Sequence, residues 1–140
     1  MEAVILNSAG GITGGDSFDI EARAGTGSRL TLTTQAAERA YRAQPGEVGR
    51  VATRLRVENS ARLDWLPQEL ILYQGGNLER RLDIALSGEA QLLMVEPVIF
   101  GRRAMGEHLS DARLSDRIRI TRDGAPLYLD GAVLEGDLTR

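Results

Sequence analysis

With 140 residues, 42% of them apolar and 26% charged, the chain has the composition of one globular domain, and no apolar run nears the roughly 20 residues of a membrane-spanning helix. It lacks cysteine, which excludes disulfides, thiolate metal sites and a cysteine nucleophile, and its single histidine, His108, is the one imidazole available to a triad or metal site. The net charge of −3 is spread about evenly between the halves and all 17 basic residues are arginines, which excludes a basic nucleic-acid stripe, a lysine Schiff base and a Walker lysine.

The chain opens on "MEAVILNSAGG". Its apolar run Ala3–Leu6 is shorter than the roughly 7–15 residues of a signal-peptide core and follows no basic residue, so a cytoplasmic location is expected. Next comes "NSAGGITGGD", residues 7–16, whose glycine pairs Gly10-Gly11 and Gly14-Gly15 permit either a phosphate cradle or a tight turn. A phosphate cradle needs a strand, a glycine loop and then a helix, so that the helix N-terminus faces the anion. Here the alternating segment "SFDIEARA" follows instead, and the spacing is GGxxGG rather than GxGxxG. The glycines are therefore assigned to a structural turn, in which Asp16 is the residue suited to a polar role.

From Phe18 onward the apolar residues alternate with period two. Phe18, Ile20 and Ala22 face one way, "AGTGS" turns the chain, and Leu30 and Leu32 resume the pattern, as in a hairpin. "TTQAAERAYRAQ" interrupts it with good helix formers, a capping Thr33 or Thr34 and a stop at Pro45-Gly46, which predicts a short helix from about Gln35 to Arg42. The second unit has Leu55 and Val57, a turn at Asn59-Ser60, then Leu63 and Trp65. In the third, Leu82, Ile84 and Leu86 lead through Ser87-Gly88 to Leu92 and Met94. "PVIFGRRAMGEHLSD" reads as a loop with one helical turn, framed by Gly101 and Gly106. A looser fourth unit has Ile118 and Ile120, a turn at Asp123-Gly124, then Leu127 and Leu129. Aligned on Leu30, Leu63, Leu92 and Leu127, the units are spaced by 33, 29 and 35 residues. One hairpin cannot bury its own apolar face, so such units must stack. The predicted fold is all-β, a single domain over residues 1–140 of stacked sheets built from tandem hairpins, β-helix-like or a solenoid sandwich, with one or two short helices.

Three acidic residues stand beside strand-ending prolines: Asp64 and Glu69 around Pro67, and Glu96 before Pro97. Flanked by large apolar residues, such carboxylates are partly desolvated. They either pair with arginine or line a polar passage that holds a cation transiently, since oxygen ligands release a metal such as Ni²⁺ readily. His108, with Glu107 beside it and Asp111 three residues on, is either a solvated loop residue or part of a mixed metal site. Trp65 and Tyr73 read as core or interface anchors, and the pairs Arg80-Arg81 and Arg102-Arg103 as solvated charge or contacts for an acidic protein.

Taken in order, "NSAGGITGGD", "LTLTTQAAERAYR", "LDWLPQELILYQG" and "VEPVIFGRRAMGE" resemble the UreD (UreH) family of urease accessory proteins, from about Ala3 to Leu129. Members are typically about twice this long, so the chain is similar to their N-terminal and central part. The resemblance implies a non-catalytic scaffold or chaperone of stacked sheets that binds UreF, engages the GTPase UreG through it, docks on apo-urease and helps deliver nickel, with a tunnel as the proposed route. It implies neither a nucleic-acid nor a membrane partner and no tightly bound cofactor, nickel being at most transient. Asp64, Glu69, Glu96 and His108 are then candidate ligands along the path. A different class of function is a β-solenoid hydrolase or lyase using Asp64 and Glu69 for acid–base work.

Overall fold

The structure, a computed structural model, describes residues 1–138. Among them are twelve strands: β1 (Glu2–Ile5), β2 (Ser17–Ala24), β3 (Arg29–Thr34), β4 (Glu38–Ala40), β5 (Gly49–Val57), β6 (Arg62–Trp65), β7 (Leu70–Leu72), β8 (Asn77–Leu86), β9 (Gln91–Met94), β10 (Val98–Phe100), β11 (Ala112–Arg122) and β12 (Ala125–Gly136). They form three sheets, ordered β1-β3-β6-β9, β10-β7-β4 and β12-β11-β8-β5-β2. Every pairing is parallel except β11 with β12. The chain winds as a solenoid: β2-β3-β4, β5-β6-β7 and β8-β9-β10 are successive coils, each placing one strand in each sheet.

The alternation comes from this stacking. Leu30, Leu63 and Leu92 are register partners in adjacent coils, and Leu63 is fully buried. Three of the four expected hairpins are instead corners, because β2 and β3, β5 and β6, and β8 and β9 lie in different sheets. Each corner is closed by the same bond one coil further on: Ser28 N to Gly25 O, Ala61 N to Glu58 O, and Ala90 N to Ser87 O. Only the fourth is a true hairpin. There Asp123 and Gly124 both have positive φ (50° and 81°), which matches the twist of paired antiparallel strands. Its Leu127 does not join the leucine stack and is 58% exposed.

The helix expected over 35–42 is absent; the chain bends at Gln35 and runs into β4. Its backbone groups bond to neighbouring coils, with Gln35 N donating to Ile5 O and Glu38 N to Glu69 O, so tertiary pairing overrides local propensity. The single helical turn in the "FGRRAMGE" loop is present as a 3₁₀ turn at Arg103–Met105.

Two apolar clusters fill the solenoid. One holds Leu55, Val57, Leu63, Trp65, Leu82, Ile84 and Leu86; the other holds Ile12, Leu70, Leu72, Leu78, Leu109 and Leu114. On the inner face of the large sheet, the register row Phe18, Val51, Arg80, Asp116 runs between Leu78 of the second cluster and Leu82 of the first.

Candidate functional site

Strand alternation puts Arg80 inward. Leu78, Leu82, Ile84 and Leu86 are buried on the inner face of β8, and Arg80 shares their parity. Its neighbour across the ladder is Asp116 of β11, which shares the inward parity of Leu114 and Ile120. The third charge, Glu96, follows β9 at the corner that Pro97 turns into β10.

These groups are bonded to one another. Arg80 Nε and Nη2 donate to the two oxygens of Asp116 at 3.1 and 2.5 Å, a bidentate fork, while its Nη1 lies 2.6 Å from Glu96 Oε2. The indole Nε1–H of Trp65 donates to Glu96 Oε1. The side chains of Arg80, Glu96 and Asp116 are only 12, 11 and 16% exposed. Burial pushes the Glu96 carboxyl above the ordinary glutamate value; Arg80 and the indole draw it back, and the second carboxylate, Asp116, adds to the rise. Burial also opposes the charge on Arg80, but the two carboxylates more than offset it and hold the guanidinium above its usual range. With all three ionised, the cluster carries one negative charge in excess.

Arg80, Glu96 and Trp65 form one wall of a cavity of about 460 Å³, most of whose exposed lining is apolar. Phe18, Ile20, Val51 and Thr53 also line it, and the segment from Leu6 to Gly10 borders it together with Glu38. Asn7 Nδ2 donates to both oxygens of Glu38, at 3.1 and 3.0 Å. The charged residues lining the cavity are thus Glu38, held by Asn7, Glu96 with Arg80, and Asp19 and Arg39.

Of the four candidate ligands, only Glu96 lines this cavity. Asp64 lies on the outward parity of β6, where Arg62 Nε donates to it at 3.0 Å. Glu69 is half-buried just before β7, and His108 is exposed in the loop preceding β11. Glu107, beside His108, is instead the acceptor for the Arg102 side chain and for the backbone N–H groups of Arg102 and Gln74, which hold its carboxyl below the usual range. Among the described residues, no three histidines, aspartates or glutamates come together as a metal ion would need. Neither Asp64 nor Glu69 lines this cavity, where an acid–base pair acting on a bound substrate would stand.

The glycine stretch folds as a pair of turns. Gly10 and Gly15 have φ of 80° and 84°, and a Cβ on Gly14 would stand 2.5 Å from Glu47 Cβ. Gly11 lies against the ring of Tyr41. Asp16 Oδ2 accepts the Thr13 N–H at 2.8 Å, closing the second turn.

Arg80 and Asp116 are the residues that sequence reasoning missed, and Arg80 is no surface contact for an acidic protein. The signal was present: extending the alternation two residues back from Leu82 and from Ile118 places both charges on the buried face.

A family model described as UreD urease accessory protein matches residues 1–140. Proteins named urease accessory protein UreD from Roseobacter denitrificans and Ruegeria pomeroyi are 58 and 56% identical over 138 residues, which is 99% of this chain and 50 and 54% of theirs. One named urease accessory protein UreD 1 from a Bradyrhizobium species is 46% identical over 138 residues, 49% of its length. The chain thus spans about half the length of these relatives.

Proposed function

The chain belongs to the UreD family of urease accessory proteins, and from that premise we propose that it serves urease maturation as a non-catalytic scaffold, its interior forming part of the route by which nickel reaches apo-urease. The observation that carries this reading is the buried Glu96 on the cavity wall, whose one cationic partner, Arg80, is shared with Asp116. A passing divalent cation meets an excess negative charge there, together with too few ligands to be trapped. Glu38, fixed by Asn7, is an earlier or later station along the same path. Asp64, Glu69 and His108 lie off this cavity; in the proposal they are secondary ligands at its approaches.

The relatives' name supports a maturation role; the proposal takes UreF, UreG and the urease subunits as the partners and the cytoplasm as the place of action. No helix among the described residues is long and apolar enough to cross a membrane.

The test is complementation of a strain lacking its own UreD by a full-length relative carrying this segment, wild type or with Glu96→Gln, followed by metal analysis of the purified urease. The glutamine keeps the side-chain volume and removes the charge, so nickel content and urease activity should fall together, severalfold, with the accessory complex still assembling. Full nickel loading by the variant would remove Glu96 from the route.

A further inference from the structure

The cavity beside Glu96 holds a polar group that the chain leaves without a partner. Thr53 faces inward from β5 on the same parity as Val51, Leu55 and Val57, and at 5% exposure it is the one polar residue so deeply buried among the described residues. Its hydroxyl makes no hydrogen bond among them, yet no side-chain oxygen or nitrogen among them is sealed from solvent without one, so this oxygen opens into the cavity that Thr53 lines. Burying a hydroxyl without a partner is unfavourable, and a bound group that bonds to it recovers the loss.

Thr53 and Arg80 are diagonal neighbours on the inner face of the large sheet, because Val51 pairs with Arg80 and Thr53 with Leu82 across β5 and β8. The charge beside Thr53 is therefore that of the triad, one guanidinium against two carboxylates. The other charges on the lining do not reverse this excess: Glu38 and Arg39 are adjacent and opposite, and Asp19 accepts from Arg54 of the outer face at 2.9 Å. Each Glu96 oxygen has one close partner, the indole N–H or Arg80, and a carboxylate oxygen can accept a second. Phe18, Ile20 and Val51 supply apolar wall next to these groups.

We propose that the cavity is a binding site for a small organic ammonium, whose apolar body packs on Phe18, Ile20 and Val51 and whose ammonium group donates to Glu96 and to the Thr53 hydroxyl. A primary ammonium brings three donors and one positive charge, which matches two acceptors and one excess negative charge. A carboxylate would meet the carboxylates of the triad, and a neutral alcohol would serve Thr53 but leave the excess charge unpaired. The inference goes beyond the proposed nickel route and does not rest on it, and its test contains neither nickel nor urease.

Trp65 is the single tryptophan of the chain and lies on the cavity wall, so its fluorescence reports occupancy. The probe is cyclohexylmethylammonium, which does not absorb where tryptophan is excited, titrated into the 140-residue chain at neutral pH. A saturable change in Trp65 emission is expected. Thr53→Val keeps the shape of the side chain and removes the hydroxyl, so it should weaken binding about tenfold without lowering the melting temperature. Glu96→Gln should weaken binding by about tenfold or more. Cyclohexylmethanol should bind at least severalfold more weakly than the ammonium, and cyclohexanecarboxylate should leave the emission unchanged. Absence of a saturable change, unchanged affinity in either variant, or equal affinity for the alcohol or the carboxylate would each overturn the proposal.

Discussion

Arg80 occupies a position that the alternation of β8 would otherwise give to leucine, and what makes it tolerable is the pair of carboxylates that meet its guanidinium. Arg80→Met should therefore cost about 3–5 kcal/mol in urea denaturation, because it strands two buried carboxylates. Replacing Arg80, Glu96 and Asp116 together by apolar residues of similar volume should recover most of that loss; a triple variant as unstable as the single one would show that the charges stabilise the fold by themselves. Titration provides a second test. Burial raises the folded-state pKa of Glu96 above its ordinary 4.5, so the folded chain holds this proton more tightly than the unfolded one. The stability that this difference contributes is complete below about 4.5 and is lost as pH rises through the folded value. Glu96→Gln removes the effect, so wild-type stability minus that of the variant should shrink as pH rises from acid towards neutrality. A difference that stays flat or grows would show that Arg80 outweighs burial. Glu96 was legible in the sequence as a desolvated carboxylate near a proline, whereas its partner was not, since a charged pair such as Arg80-Arg81 looks solvated until the register of its strand is known.

At the scale of the strands, period-two alternation specifies which side chains are buried but not which strand lies alongside. A hairpin and a solenoid corner produce the same pattern, because in both a turn separates two half-buried strands. What distinguishes them is spacing: partners lie about 30 residues apart in the parallel sheets, as Leu30, Leu63 and Leu92 do, and directly across the turn only at β11 and β12. The β4 segment was illegible for a related reason. Its alanines favour a helix locally, but Glu38–Ala40 sits where the coil needs a strand to pair with β7. Leu63 stands in the middle of the leucine stack with no exposed surface, so Leu63→Ala should cost about 3–5 kcal/mol through lost burial and the remaining cavity. The glycine turn offers a graded comparison. A side chain on Gly10 meets nothing within 4 Å and suffers only from its φ of 80°, so Gly10→Ala should cost about 1 kcal/mol. Gly14→Ala must also displace Glu47 and Ala43, whose Cβ atoms stand 2.5 and 2.9 Å from the new methyl, and it should cost clearly more. Thermal melts that rank the two the other way would mean that the Glu47 loop yields readily and that backbone strain dominates.

Across the whole molecule, both ends of the sheet stack present unpaired strands. β1 pairs only with β3 and leaves Val4 63% exposed, while β12 pairs only with β11 and leaves Leu127, Leu129 and Val133 each between 58 and 64% exposed. β12 is the longer liability, at 12 residues against four, and residues on both of its faces are exposed. An edge of this length, apolar and without lysine, is a template for pairing with another chain. Stability then depends on concentration: association buries apolar area at the edge and satisfies the outward backbone groups of β12, a gain that grows with the supply of other edges. In sedimentation velocity the 140-residue chain should shift to larger species as its concentration rises through the micromolar range. Leu129→Lys with Val133→Lys should suppress the shift without lowering the melting temperature, because both side chains already face water and a charged edge resists pairing. If association survived in the lysine variant, the contact would lie elsewhere, with β1 the next edge to charge. A monomer at every concentration would instead show that the twist of β12 alone protects it.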